Sequence, residues 1–367
     1  MRLVPIECVR DGSKLGKTIY DEEGRSLLQV GAQLTENVIK KIQNLNIFSI
    51  YVIDEYSEEE IDEIIKPEVR SKSTSVIRET FKSMDRIKSK GEIGPKAALA
   101  KRNREYFLSI YTVAEDILNE ILSNNTVLIG LVDIKSMDNY TYQHCVNVAV
   151  ISLVMGISMK MRKPDLIELC IGALIHDIGK SFIPKEITTK IGELTQDEVE
   201  VYKQHTVRGY DYLNKNFYIK DTSALVALQH HERTDGNGFP KGLKGNQIHI
   251  FSKIVAIANK YDELTSDLSY KRSISASDAL EYIMSKVNTE FDFETVSLFT
   301  RIIIPYPAGT LVRLSNNEIA VVERTPTNFP LRPRVKILKS DIASRVEQEL
   351  ELLELLSLVI TDIVYEV

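Results

Sequence analysis

The chain has 367 residues, 43% of them hydrophobic and 27% charged, which is enough for one sizeable core plus smaller appendages and ordinary for a globular fold. Its formal charge of −6 argues against a nucleic-acid polymer as partner, because proteins that track a phosphate backbone gather Lys and Arg on one face. No run approaches the ~20 apolar residues of a membrane span, and the N-terminal Met-Arg-Leu-Val-Pro-Ile-Glu lacks the apolar core of a signal peptide, so a cytoplasmic protein without membrane association is expected.

Residues 1–57 combine short β-like runs, turn signals at Asp11-Gly12 and Glu23-Gly24, a helical pattern from Thr35 to Ile42 and a strand over Ile47 to Ile53, which together predict a small α/β module. Residues 58–125 read as a helical connector. It is rich in charge from Glu58 to Lys90, is broken at Gly91-Glu-Ile-Gly-Pro95, and resumes as an amphipathic helix over 98–123. With no sustained heptad seam, a solvated spacer is favoured over a dimerising helix pair. Residues 126–303 read almost entirely as helices joined by polar loops. In 304–367 the runs Thr310 to Leu314, Glu318 to Glu323 and Arg334 to Leu338 have strand composition, and the leucine-rich stretch Glu347 to Leu358 reads as a helix packed on those strands. The expected fold is therefore mainly α: an all-helical core with a small α/β N-terminal module and a β-rich C-terminal tail. Cys8, Cys145 and Cys170 are an odd number at no metal-like spacing, which predicts buried reduced thiols rather than a disulfide framework.

Five of the six histidines fall at spacings that suit a metal site: His144, His176 beside Asp177, His205, and the doublet His230-His231. Imidazole binds divalent transition metals through a neutral ring nitrogen, and a neighbouring carboxylate adds charge, so this set can hold two ions. The run Ile167 to Ile175 ahead of His176 is apolar nearly all round, and a buried Asp177 there needs a cation as partner. Lys180, one turn beyond, projects to the same region. Adjacent histidines cannot share one helical face, so His230 and His231 imply a helix end or loop, freedom that Asp235-Gly-Asn-Gly-Phe-Pro240 supplies. His249 alternates with apolar residues and reads as an ordinary surface or packed histidine rather than a ligand.

Taken together, Tyr140-Thr-Tyr-Gln-His144, His176-Asp-Ile-Gly-Lys180, His205-Thr-Val-Arg-Gly209, His230-His-Glu-Arg-Thr-Asp-Gly-Asn-Gly-Phe-Pro240 and Tyr306-Pro-Ala-Gly-Thr-Leu-Val-Arg313 resemble the HD-GYP domain. The resemblance implies an all-helical HD-type phosphohydrolase that hydrolyses cyclic di-GMP to pGpG or GMP with hydroxide activated between two divalent ions, iron or manganese. It makes His144, His176, Asp177, His205, His230, His231 and Asn259 the metal ligands, with Asp177 bridging. Lys180 and Asp177 become the catalytic pair, and Asp138, Lys180, Asp262 and Lys271 line the substrate pocket. The family context admits a homodimer or a GGDEF-type signalling partner.

Several positions depart from that pattern. Asn259 stands where the family has an aspartate, which lowers the charge of the site, with Asp262 the nearest carboxylate. Leu268-Ser269-Tyr270 replaces Arg-Pro-Tyr, leaving Lys271 as the nearest cation, and Phe239 replaces the tyrosine of Gly-Tyr-Pro. Tyr140 occupies the position of a third-metal glutamate, which favours a binuclear site. The changes at Asn259 and Leu268 leave a second reading open, a degenerate domain that binds a nucleotide or a protein without turnover.

Overall fold

Apolar residues recur at helical spacing through the middle of the sequence and alternate near its two ends, and the architecture follows that division. The computed structural model describes all residues except 21–24, 46, 58–63, 91–95, 124–139, 218, 267–272, 327 and 367, and gives the backbone alone for 84–90, 96–100 and 140. The turn signal at Glu23-Gly24 lies outside the described residues.

The N-terminal strands β1 (Arg2–Pro5), β2 (Ser13–Leu15), β3 (Ile19–Tyr20), β4 (Ser26–Leu28), β5 (Gln33–Leu34) and β6 (Ser49–Ile53) surround helix α1 (Glu36–Asn44). Four of them form a sheet in the order β1-β6-β2-β5, while β3 pairs with β4. A separate small core fills this unit, with Leu15, Leu34 and Ile50 fully buried.

Then come α2 (Pro67–Lys90), α3 (Lys96–Ser123), α4 (Tyr140–Ser158), α5 (Lys163–Leu174), the short α6 (Lys185–Thr188), α7 (Gln196–Asn216), α8 (Asp221–Gln229), α9 (Ile250–Leu264), α10 (Ala276–Ser285) and α11 (Phe293–Ile302). Their starts are written locally. Thr195 and Glu198 form a reciprocal capping box at α7, and Ser275 and Asp292 cap α10 and α11. His249 caps α9 through its Nδ1, which accepts from Phe251 N at 3.2 Å. The histidine set apart from the other five in the sequence thus has a structural task. Helix α4 packs against α2, α5, α9 and α11. It is long and apolar enough to cross a membrane, but 72% of its apolar window is buried inside this bundle.

The connector is not a solvated spacer. Ile77 and Phe81 of α2 and Ile110, Ile117 and Leu118 of α3 are buried in the same core as α4 and α5. At roughly 1.5–3 kcal/mol per fully buried large apolar side chain, these helices belong to the helical body, and a boundary at 125 cuts through it. The charge-rich composition of 58–90 hid the apolar stripe.

Strands β7 (Leu311–Leu314), β8 (Ile319–Arg324), β9 (Arg334–Lys339), β10 (Glu349–Glu351) and β11 (Ile360–Ile363) close the chain. They form one antiparallel sheet in the order β10-β9-β8-β7-β11. The helix expected over Glu347 to Leu358 is absent. Leu350 pairs with Val335 across the β10–β9 ladder and Leu352 is fully buried in the tail's core, whereas Leu353, Leu355 and Leu356 stay exposed. The alternation Glu-Leu-Glu-Leu at 349–352 has a period of two, and the leucines that follow it suggested a helical face the chain does not use. Cys145 and Cys170 are buried and Cys8 is half-buried, and no two of them are bonded.

Candidate metal centre

Four stretches of backbone bring the histidines together. His144 lies on α4, His176 and Asp177 follow α5, His205 sits midway along α7, and His230 caps the end of α8 with His231 just beyond. The helix end expected from adjacent histidines is therefore where they lie. Asp177 leads into a 3-10 helix, Ile178–Phe182, that carries Lys180. This turn presses on α7 because residue 179 has no side chain: a Cβ there would stand 1.8 Å from the His205 carbonyl oxygen. Backbone cannot yield as a flexible side chain can, so Gly179→Ala is expected to destabilise the protein by about 3 kcal/mol. Urea unfolding measures this, and a midpoint equal to the parent's would contradict the close approach.

The outer ring nitrogens determine what the inner ones offer. His176 Nδ1 donates to the Ala173 carbonyl at 2.7 Å, His205 Nδ1 to Tyr202 at 2.7 Å, and His230 Nδ1 to Val226 at 3.0 Å. His144 Nδ1 donates to Asp262 Oδ2 at 2.7 Å. Carbonyls and carboxylates only accept, so each Nδ1 holds a proton, and in the neutral form that binds metal each ring presents a bare Nε2. Those lone pairs converge on one another. His205 Nε2 and His230 Nε2 are 3.4 Å apart, and His144 Nε2 faces Asn259 Oδ1 at 2.9 Å. Acceptors aimed at acceptors call for a shared cation.

Asp177 stands between the two sets. Its Oδ2 is 3.5 Å from His176 Nε2 and 3.9 Å from His144 Nε2, while its Oδ1 is 3.7 Å from His230 Nε2 and 3.8 Å from His205 Nε2. These gaps are too long for hydrogen bonds, yet they approach the roughly 3–3.5 Å that separates two atoms each ~2.1 Å from one ion. His176 Nε2 and Asp177 Oδ1 are buried without hydrogen-bond partners. Buried polar atoms are normally satisfied, so the donor set fits two ions. One group is His144, His176 and Asp177; the other is His205, His230 and His231.

Electrostatics agree with the geometry. Burial holds His176 and His205 down to about 3, and it pushes His231 well below its ordinary value, aided by the other rings. Burial pulls Asp177 up, but the Lys180 ammonium and the surrounding imidazoles outweigh it and keep the carboxyl well below its usual range. Lys180 Nζ donates to Asp177 Oδ2 at 2.5 Å. For chelator-treated protein the sign follows directly. Unfolded histidines take up protons below about pH 6.5, whereas folded His176 and His205 stay neutral to about 3. Stability is therefore lost as pH falls through that window, by roughly 2–4 kcal/mol between pH 7 and 5. Urea midpoints at those two pH values should show the drop, and a flat profile would contradict it.

Asp262 corrects an expectation. It was expected in the substrate pocket and as the nearest stand-in for a ligand at 259. Instead it is 3% exposed and lies behind His144, accepting from Nδ1 of that ring and, through Oδ1, from Asn147 Nδ2 at 3.1 Å. Arg70 of α2 in turn donates to Asn147 Oδ1 at 2.6 Å. Asp262 thus orients a ring rather than facing a ligand. Asp138, Leu268 and Lys271 lie outside the described residues.

The glycine-rich loop is anchored by a residue whose role its sequence did not signal. Glu232 is buried and accepts from the backbone of Lys241 and Leu243 at 2.7 and 2.8 Å. Gly238 lets the loop pack there, since a Cβ would meet Arg233 N at 2.3 Å. Phe239 is thereby stacked on His231, with ring centroids 4.6 Å apart.

Comparison with known proteins gives this arrangement a family. Residues 117–295 match the HD domain family, and 311–366 match the KOW domain associated with HD domains. The chain is 32% identical over 281 residues to a cyclic di-GMP phosphodiesterase of Thermotoga maritima, a match covering 72% of this chain and 74% of that one. The chain belongs to the HD-GYP family. Among other HD-GYP relatives it is 34% identical over 231 residues to the cyclic di-GMP phosphodiesterase PA4108 of Pseudomonas aeruginosa, covering 62% of this chain and 56% of that one. It is also 31% identical over 175 residues to the 3'3'-cGAMP-specific phosphodiesterase 1 of Vibrio cholerae, covering 47% and 39%. The chain thus spans about half the length of PA4108 and less of the Vibrio protein. HD-domain phosphohydrolases depend on metal, and the His/Asp groups described above can hold it.

Proposed function

We propose that this HD-GYP chain is a metal-dependent phosphodiesterase that hydrolyses cyclic di-GMP to pGpG or GMP. The observation that carries the reading is the bipartite environment of Asp177, whose two oxygens face separate histidine sets with bare inner nitrogens. In this reading His144, His176, Asn259 and Asp177 would hold one ion, and His205, His230, His231 and Asp177 would hold the other. A donor set of imidazole, carboxylate and amide oxygen without thiolate suits iron or manganese. Bound there, two divalent ions acidify water and withdraw charge from a phosphodiester.

The remaining work belongs to the protein's own groups. Asp177 fixes the spacing of the two histidine sets. Lys180, whose side chain is 23% exposed, places a permanent cation beside Asp177, with its ammonium 5.7 Å from the centre of the Tyr202 ring. That charge meets the negative charge that grows on phosphate oxygens during attack. Asp262 and the backbone carbonyls hold the ring tautomers, so no proton must move within the ligand set before reaction.

A related substrate has a specific observation behind it, the likeness to a 3'3'-cGAMP-specific phosphodiesterase. Protein purified anaerobically and loaded with ferrous iron or manganese should be offered cyclic di-GMP and 3'3'-cGAMP separately, with products resolved by chromatography. Faster conversion of cyclic di-GMP supports the reading, and preference for the mixed dinucleotide moves it to the second substrate. Conversion of neither sinks the enzyme and leaves a binding module.

A further inference from the structure

Asn259 offers an amide oxygen where a carboxylate would bring charge, and the structure shows how that amide is held. While its Oδ1 faces His144 Nε2, its Nδ2 donates to Glu263 Oε1 at 3.3 Å. Glu263 lies four residues further along α9, hence one turn on and on the same face. Its other oxygen accepts from Lys260 Nζ at 2.9 Å, which fixes the carboxylate from the opposite side. Its bond to Asn259, whose Oδ1 faces His144, places the Glu263 carboxylate beside the site, whereas Asp262 is committed behind His144.

We propose that Glu263 is a positioning residue for metal ligation: by accepting the Asn259 amide N–H it holds Oδ1 toward the ion shared by His144, His176 and Asp177, and it supplies from outside the ligand shell the negative charge that Asn259 lacks. The proposal rests on the two-metal reading above. Two physical effects support it. A primary amide rotated by half a turn would aim an NH2 group, which has no lone pair to give, at the ion. A carboxylate drawing on the amide N–H also shifts electron density to the oxygen, as carboxylates behind metal-bound histidines raise the basicity of those rings. The carboxylate missing at 259 is thus supplied one helical turn away, in an ion pair with Lys260.

The test is metal retention against a competing chelator for four proteins: the parent, Glu263→Gln, Asn259→Asp, and the two substitutions combined, each checked by circular dichroism. In the parent background Glu263→Gln should weaken one of the two ions by about tenfold or more and leave the other in place. With an aspartate at 259 there is no N–H to donate, and Glu263 would face a second carboxylate, so the same substitution should cause no loss or should tighten binding. This reversal is the signature of positioning through Asn259, and damage to α9 would not produce it. Equal retention by the parent and Glu263→Gln, with two ions on each, overturns the role of Glu263 alone. An equal loss in both backgrounds overturns it as well. A parent that retains no ion overturns the two-metal reading and this proposal with it.

Discussion

Asp177→Asn is expected to reduce the metal content from two ions per chain to one or none and to lower kcat/KM for cyclic di-GMP by at least about 10³-fold. The size follows from the position of the residue. Each carboxylate oxygen faces its own pair of imidazoles, and an amide can offer an oxygen to only one of them while presenting N–H donors to the other. The loss of an ion removes several kcal/mol of transition-state charge stabilisation, and each 1.36 kcal/mol or so is tenfold in rate. Elemental analysis and initial rates on the folded variant check both parts. A variant that keeps two ions and more than a tenth of the parental activity would show that Asp177 does not bridge.

Lys180→Ala should behave differently. Its ammonium contacts Asp177 and lies over Tyr202, but none of its atoms belongs to either histidine set. Removing one preorganised charge that meets the developing transition state typically costs about 10²–10³ in kcat. Metal content should stay at two, and KM should change far less than kcat. The contrast between the two variants is itself informative, since one alters the carboxylate that faces both histidine sets and the other removes only the charge beside it. A kcat within twofold of the parent, or loss of an ion, would remove Lys180 from that role.

How much of this was legible in the sequence varies with the physics of each feature. The histidines and Asp177 stand out because buried imidazole beside a buried carboxylate has few structural explanations, and their grouping in space agrees with their grouping as motifs. The doublet His230-His231 could be placed at a helix end from geometry alone. Glu263 could have been found, since it lies one helical turn from Asn259, yet a charged residue on a helix most often reads as a solvated face. Asp262 was misplaced because sequence gives its distance along α9 but not which nitrogen of His144 it meets. Asn147 and Arg70, which complete that chain of contacts, are 115 and 77 residues from their partners, and no local pattern announces them. The connector and the tail failed for opposite reasons. Charge concealed a buried stripe on α2, and a run of leucines suggested a helix where strand pairing had already taken the inward positions.

The number of iron or manganese ions that stay with each chain after anaerobic purification and desalting tests the account most directly. Two per chain, falling to one or none in Asp177→Asn, is the result expected of a bridged pair. A chain that holds no metal under those conditions, or holds the same amount after Asp177→Asn, would contradict it.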